Sequence, residues 1–404
     1  MNNNFFDSRE KSLCCGCKVC SSVCPVEAIF FKNDEEGFWY PIIDDEKCIK
    51  CNKCKNVCPL SKEDLNPIEE ENQTYAVYSK SKEVLDNSTS GGIFTHISNL
   101  VLELGGVVFG HKFDENLKCV CVPAKTKEER NAFRGSKYVQ SDMRFVYKQI
   151  KDEVESNKLV LVTGTPCQID AVKNYFSNKI PENLITLDIV CHGVPSPKIF
   201  SEYVSILEEK LGQQIIDFKF RDKKQGWSNP HVTMKCSDGS TYSKLLRNDC
   251  FNSLFAEMDC ILRPSCYFCK YAGKKRISDI TIGDFWGIQF YHNDMFNNDK
   301  GVSLVLLNNK NIDIFNKLFM DKSLQIKPVY LDEATKKNRP LYKKSEPYFD
   351  RKKFFKDYRK RGLKYCLYSY CSHDFIIRLR KKVRRFIKNP LYVLKKLKYI
   401  NKNI

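Results

Sequence analysis

Cys14-Cys15-Gly16-Cys17-Lys18-Val19-Cys20-Ser21-Ser22-Val23-Cys24-Pro25 is followed by a second copy of its spacing, Cys48-Ile49-Lys50-Cys51-Asn52-Lys53-Cys54-Lys55-Asn56-Val57-Cys58-Pro59. Each copy has three thiols two residues apart, then a fourth three residues on, before a proline. Three thiolates so spaced can wrap three corners of a small 4Fe-4S cube on one tight loop. The proline then turns the chain and sends the fourth thiolate elsewhere.

In two-cluster ferredoxins the fourth cysteine of each run ligates the other cluster. The expected ligand sets are therefore Cys14, Cys17, Cys20 and Cys58 for one centre, and Cys48, Cys51, Cys54 and Cys24 for the second. Structural zinc is the competing reading of Cys-x2-Cys pairs, but eight cysteines in this doubled register disfavour it. Cys15 fits neither run and reads as a bystander.

Working outward, residues 1–60 form the ferredoxin module, with a hairpin expected from the apolar runs Ala28–Phe31 and Phe38–Ile43. Residues 61–74 are polar, acidic and carry Pro67, and read as a linker. Residues 75–345 alternate strand-like runs (Tyr75–Tyr78, Val107–Gly110, Leu159–Val162, Leu184–Val190, Ile277–Asp284) with helical segments. That alternation predicts an α/β domain with a partly parallel sheet. Within it, Ile215–Phe220, His231–Cys236 and Thr241–Leu246, with Asp238-Gly239 as a turn, predict an antiparallel insertion. The fold class expected is thus α+β: a 2x(4Fe-4S) ferredoxin module, an α/β domain with an antiparallel insertion, and a basic helical tail over 346–404.

The 404 residues carry a formal charge of +18 and 20 cysteines. No apolar run reaches the roughly 18 residues needed to cross a bilayer, and the amino terminus lacks a signal pattern. A cytoplasmic chain is expected, its cysteines being ligands and buried thiols, not disulfides. Much of the positive charge lies in the tail. There Phe375, Ile376, Ile377, Leu379, Val383, Phe386 and Ile387 interleave with Arg378, Arg380, Lys381, Lys382, Arg384, Arg385 and Lys388, before Pro390. Such a segment either lies on an anionic membrane surface or packs its apolar face on the protein body. With no nucleic-acid-binding motif in the chain, no nucleic-acid partner is expected.

Further chemistry is read from the α/β region. Ser88-Thr89-Ser90-Gly91-Gly92 precedes an amphipathic helix, an arrangement that suits a phosphate and equally an ordinary helix cap. Neither G-x-G-x-x-G nor a Walker motif occurs. Cys167 and Cys191 each follow the carboxyl end of a predicted strand, where ligands of open α/β sheets gather. With Cys266 and Cys269 they form a candidate third cluster, the alternative being buried free thiols. His192 is a candidate proton donor beside a redox centre.

Taken in order, Ser88–Gly92, Arg134-Gly135-Ser136-Lys137-Tyr138-Val139-Gln140, Gly164-Thr165-Pro166-Cys167-Gln168, Asp188–Gly193 and Cys266–Cys269 with Asp279–Gly287 resemble the coenzyme F420 hydrogenase/dehydrogenase beta-subunit family. The resemblance covers about residues 75–290. It implies an FAD-binding domain passing electrons between clusters and a two-electron acceptor. It places the cofactor against Ser88, Ser90, Gly91, Gly92, Arg134, Gly135, Ser136, Lys137, Gly164 and Thr165, and it strengthens the third cluster. Arg134 and Lys137 would pair with cofactor phosphates or an acidic substrate. The expected partners are a ferredoxin-like redox protein and a small-molecule substrate, with surface-polysaccharide metabolism one setting. A non-catalytic electron-transfer subunit feeding a separate enzyme is the alternative.

Overall fold

The computed structural model describes residues 5–61, 73–296, 299–308, 313–347 and 350–371. The chain divides into two compact units, 1–349 and 350–404. In the second unit the described part is one helical stretch, Arg351–Cys371, broken by non-helical backbone at Gly362. The interleaved basic segment expected beyond it lies outside the described residues, as does most of the expected linker. Among the described residues no helix is long and apolar enough to cross a membrane.

The amino-terminal module carries the expected hairpin, β1 (Ile29–Asn33) and β2 (Trp39–Ile43), paired antiparallel with Ile29 opposite Ile43. Its turn is held by Asp34, whose Oδ1 accepts from the backbone N–H groups of Glu36 at 3.0 Å and Phe38 at 2.9 Å.

The centre of the unit is an eight-stranded sheet. Its strands are β3 (Gln73–Ser79), β4 (Val107–Phe113), β5 (Cys119–Ala124), β6 (Val160–Gly164), β7 (Leu184–Ile189), β11 (Ile280–Asp284), β12 (Ser303–Leu307) and β13 (Leu324–Pro328). They lie in the order β13-β3-β12-β11-β7-β6-β4-β5. The central four, β4, β6, β7 and β11, are mutually parallel, and the four outer strands join antiparallel. The sheet is therefore parallel only at its middle. A separate three-stranded antiparallel sheet is formed by β8 (Ile215–Asp222), β9 (His231–Cys236) and β10 (Thr241–Leu245), in the place of the expected insertion.

Successive side chains of a strand point to opposite faces, and β6 divides accordingly. Val160 and Val162 pack in one core with Phe109, Tyr147, Ile150, Ile169 and Val172. Leu161 packs in the other with Ile93, Ile97, Val101, Leu187 and Ile280. Cys17, Val19 and Val57 of the amino-terminal module belong to the first core. The module is therefore built onto the sheet's packing.

One ion pair fastens this junction. Lys18 Nζ, almost fully buried, meets Asp142 Oδ2 at 2.5 Å and lies 4.0 Å from the centre of the Trp39 ring. Burial holds the ammonium down to about 8, against the pull of Asp142. Removing one partner of a buried pair strands the other charge, and here only Asp142 reaches solvent. Asp142→Asn is therefore expected to cost about 3 kcal/mol and Lys18→Met clearly less, an order that chemical denaturation of the two variants would test.

Candidate functional site

The first cysteine loop sits against the α/β domain with each of four consecutive backbone carbonyls taken by a side-chain donor. Arg263 Nε donates to Cys14 O at 2.6 Å, and Gln140 Nε2 to Cys15 O at 2.8 Å. Trp39 Nε1 donates to Gly16 O at 3.1 Å, and the Tyr147 hydroxyl to Cys17 O at 2.8 Å. A tight loop leaves its carbonyls without ladder partners, and burial then requires donors from elsewhere. Three of the four donors come from the α/β domain.

Seven of the eight module cysteines neighbour thiols of their expected set, with Cys20 also near Cys54. Burial raises the Cys20 thiol well above its ordinary range, and the nearby Cys14, Cys58 and Cys54 add to it. Cys58 is pushed up to about 12 by burial and by Cys14. Cys54 is raised by burial, with Cys24 and Cys48 as its charged neighbours. Cys14, Cys17 and Cys20 thus lie with Cys58, while Cys54 lies with Cys24 and Cys48. Cys17 and Cys20 are buried, whereas Cys51 is exposed.

Cys167, Cys191, Cys266 and Cys269 come from three stretches distant in sequence and line one cleft of about 560 Å³, part of it open to solvent. The parallel register explains the convergence. Gly164 at the end of β6 is opposite Asp188 of β7, and Ile189 is opposite Ile282 of β11. Cys167 follows β6 by three residues and Cys191 follows β7 by two. Cys266 and Cys269 arrive on the turn Pro264–Phe268 and just after it. Burial pushes Cys266 up to about 12 and Cys269 to about 11, and in each case a neighbouring thiol of the set adds to the rise. Among the described residues no three His, Cys, Asp or Glu side chains are set to hold a single metal ion.

Cys15 is not a bystander. It lines the same cleft, where burial and the neighbouring Cys17 and Cys14 thiols raise its own thiol well above the ordinary range. Its place outside the repeated spacing hid this, since only the docking of the loop brings it there.

His192 also lines the cleft. Its Nε2 is 2.6 Å from Asp259 Oδ1, and Asp259 further accepts from Arg339 at 3.2 Å. A proton on Nε2 shared with the carboxylate leaves Nδ1 as the nitrogen free to accept one. Asp259 is almost fully buried and adopts φ +52°, a left-handed conformation that aspartate accepts more readily than most residues. Neither Asp259 nor Arg339 carries a sequence signal that marks it.

The residues expected around FAD are brought together in part. Thr89 Oγ1 accepts from the Ser136 N–H at 2.9 Å, which joins the Ser88–Gly92 loop to the Arg134–Lys137 loop. Gly135 faces open space. Arg134 pairs with Glu83 at 2.5 Å, and its buried Nε has no hydrogen-bond partner. Lys137 Nζ donates to the carbonyls of Ala132 and Arg134, both at 2.9 Å, and burial lowers it to about 8. Gly164 ends β6, and Thr165 lines the cysteine cleft. Thr165 caps the helix Pro166–Tyr175 and its hydroxyl is 3.3 Å from Cys167 Sγ.

Three details differ from the expected phosphate loop. Ser88 Oγ donates to Val84 O at 2.6 Å and Ser90 Oγ to Val302 O at 2.8 Å, so both hydroxyls are spent within the fold. A Cβ on Gly91 would lie 2.3 Å from Val77 O and 2.6 Å from Ser303 N. The glycine is there so that the loop can press on β3 and β12. Gly91→Ala is accordingly expected to cost about 1–3 kcal/mol, read as a lower melting temperature whether or not flavin is added.

Residues 157–330 match the family described as the C terminus of the coenzyme F420 hydrogenase/dehydrogenase beta subunit. Residues 13–61 and residues 40–88 each match a 4Fe-4S dicluster domain. No curated protein matches the chain. Among solved structures, a chain of the F420-reducing NiFe hydrogenase complex from Methanosarcina barkeri is similar at 20% identity, with a TM-score of 0.44, over 66% of this chain and 89% of that one. The beta-subunit match takes in the Gly164–Gln168, Asp188–Gly193 and Cys266–Gly287 motifs and leaves Ser88–Gly92 and Arg134–Gln140 outside it: behind a 4Fe-4S dicluster domain, this chain carries the C-terminal domain of the coenzyme F420 hydrogenase/dehydrogenase beta-subunit family.

Proposed function

We propose that the chain is an iron–sulfur flavoprotein oxidoreductase that moves single electrons from its exposed cysteine loop to a two-electron site on its α/β domain. The observation that carries the reading is the graded exposure of the cysteines, from exposed Cys51 to buried Cys17 and Cys20, with Cys15 of the same loop lining the cleft of Cys167, Cys191, Cys266 and Cys269. Cys48, Cys51, Cys54 and Cys24 would hold one 4Fe-4S cluster, and Cys14, Cys17, Cys20 and Cys58 a second. Cys167, Cys191, Cys266 and Cys269 would hold a third. All three donor sets are entirely thiolate, the ligand type such clusters take. When bound, the clusters pass single electrons and FAD exchanges a pair with an organic substrate.

The loops joined by Thr89 and Ser136 are the proposed FAD contact. The unpartnered Arg134 Nε, the ammonium of Lys137 and the open face of Gly135 are the features that suit an anionic cofactor. His192 would hold or release a proton at Nδ1 beside the cleft, with Asp259 fixing the ring. Flavin released on denaturing the protein after incubation with FAD would support this assignment; protein that never retains flavin would remove it and leave the cluster reading standing.

A second reading, in which the chain only relays electrons to a separate enzyme, is favoured by the family's own description as a beta subunit. Reduction of an organic acceptor by the purified chain alone would decide against it.

The exposed loop suits an acidic one-electron carrier. Ile49 is 60% exposed beside Cys51, and exposed Lys47, Lys50 and Lys53 surround it. Lys47 is partly offset by Asp44 at 3.6 Å, and exposed Asp45 and Glu46 lie just before it; among the described residues, Lys50 and Lys53 are the loop's unpaired cations. Exposed charge acts mainly on association rate and is screened by salt. Lys50→Glu with Lys53→Glu should slow reduction by an acidic ferredoxin roughly tenfold at low ionic strength, with the gap closing at high salt. Equal stopped-flow rates for variant and parent at low salt would place the docking surface elsewhere.

A further inference from the structure

Arg263 is wholly buried, and its guanidinium reaches across the junction between the two domains. Nε donates to Cys14 O at 2.6 Å and Nη1 to Gln140 Oε1 at 3.0 Å. Nη2 donates to Trp39 O at 2.9 Å and to Cys14 Sγ at 3.3 Å. The guanidinium carbon sits 4.4 Å from the centre of the Tyr40 ring and 5.4 Å from that of Phe38. Among the described residues no carboxylate forms an ion pair with it. A buried cation without a counter-charge is among the costliest arrangements a fold can contain. Carbonyls and ring faces soften that cost, but the only hydrogen-bond partner able to carry negative charge is the Cys14 sulfur.

The space for this contact is specific. Gly16 has φ +72°, and a Cβ there would lie 2.2 Å from Gln140 Nε2 and 2.8 Å from Arg263 Nη1. The residue between Cys15 and Cys17 must therefore be glycine for the guanidinium to lie along the loop. The same arginine is joined to the cleft: its N–H donates to Val194 O, and its carbonyl accepts from the Cys266 N–H, both at 2.9 Å. Val194 N–H in turn lies 3.5 Å from Cys266 Sγ.

We propose that Arg263 sets the reduction potential of the centre ligated by Cys14, holding it above that of the same centre without the arginine, so that electrons gather next to the cleft. The inference rests on the iron–sulfur reading above. A reduced cluster carries one more negative charge than an oxidised one. A fixed cation and a hydrogen bond to a ligating sulfur both favour the reduced form. Burial strengthens the effect because water cannot screen it. Arg263 acts through Cys14 and is a positioning residue, not a catalytic one.

The test is an EPR-monitored redox titration of the full chain with its clusters, comparing the parent with Arg263→Lys and Arg263→Gln. Arg263→Gln should shift the reduction equilibrium of one centre at least tenfold toward the oxidised form, or 59 mV for one electron, with a smaller shift at the cleft centre, whose Cys167 and Cys266 also feel its charge, and the exposed centre least affected. Arg263→Lys, which keeps the charge, should recover most of the shift. Parent protein carrying ¹⁵N-arginine should also show a guanidinium nitrogen coupled to the reduced centre, absent from Arg263→Lys; this needs no Arg263→Gln protein. Full clusters with unmoved potentials, or labelled spectra that match, would overturn the inference and leave the iron–sulfur reading intact. Zinc without acid-labile sulfide would end both.

Discussion

A buried loop must find donors for its carbonyls, and the Cys14–Cys17 loop finds four in a row. That requirement ties the ferredoxin module to the α/β domain more firmly than apolar contact could, because hydrogen bonds fix direction as well as distance. Arg263, Gln140 and Tyr147 all lie far from the loop in sequence, yet each ends on one of its carbonyls. The result is one orientation of the loop, with Cys17 in the sheet's core and Cys15 in the cleft. Among the described residues no side chain donates to the carbonyls between Cys48 and Cys51 of the second loop, and Cys51 is exposed. One module thus presents an exposed cysteine at one loop and buried ones at the other.

The parallel centre of the sheet supplies the other half of the arrangement. Parallel strands end together, so residues that follow β6 and β7 meet at one edge. The antiparallel outer strands close the sheet without adding to that edge. Arg276 reinforces it from beneath: buried, it pairs with Asp188 at 2.8 Å and also donates to the carbonyls of Tyr271 and Ile189. Its reach from the segment before β11 to the end of β7 braces the cleft where Cys191 and Cys269 approach.

Much of this is legible in the sequence, and the failures have physical reasons. The doubled cysteine spacing is local covalent geometry, so it reads directly. The parallel strands read as short apolar runs that precede Cys167 and Cys191, and the Asp238-Gly239 turn marks the β9–β10 hairpin. The strands β5, β12 and β13 are absent from the sequence reading. Cys119–Ala124 is broken by Pro123, which an antiparallel edge strand tolerates. Cys15, Arg263, Gln140 and Asp259 escape it because their roles depend on docking between segments distant in sequence. Gly91 shows how one glycine can carry a second constraint: in a glycine-hydroxyl loop before a helix, its close approach is to the protein's own strands.

The central claim is a continuous path of three thiolate-held centres, and counting iron and acid-labile sulfide in anaerobically reconstituted protein tests it most directly. The account predicts about twelve irons per chain, four for each cubane, falling by about four in Cys266→Ser while the module's eight remain. A parent chain with about eight irons, unchanged by Cys266→Ser, would contradict it.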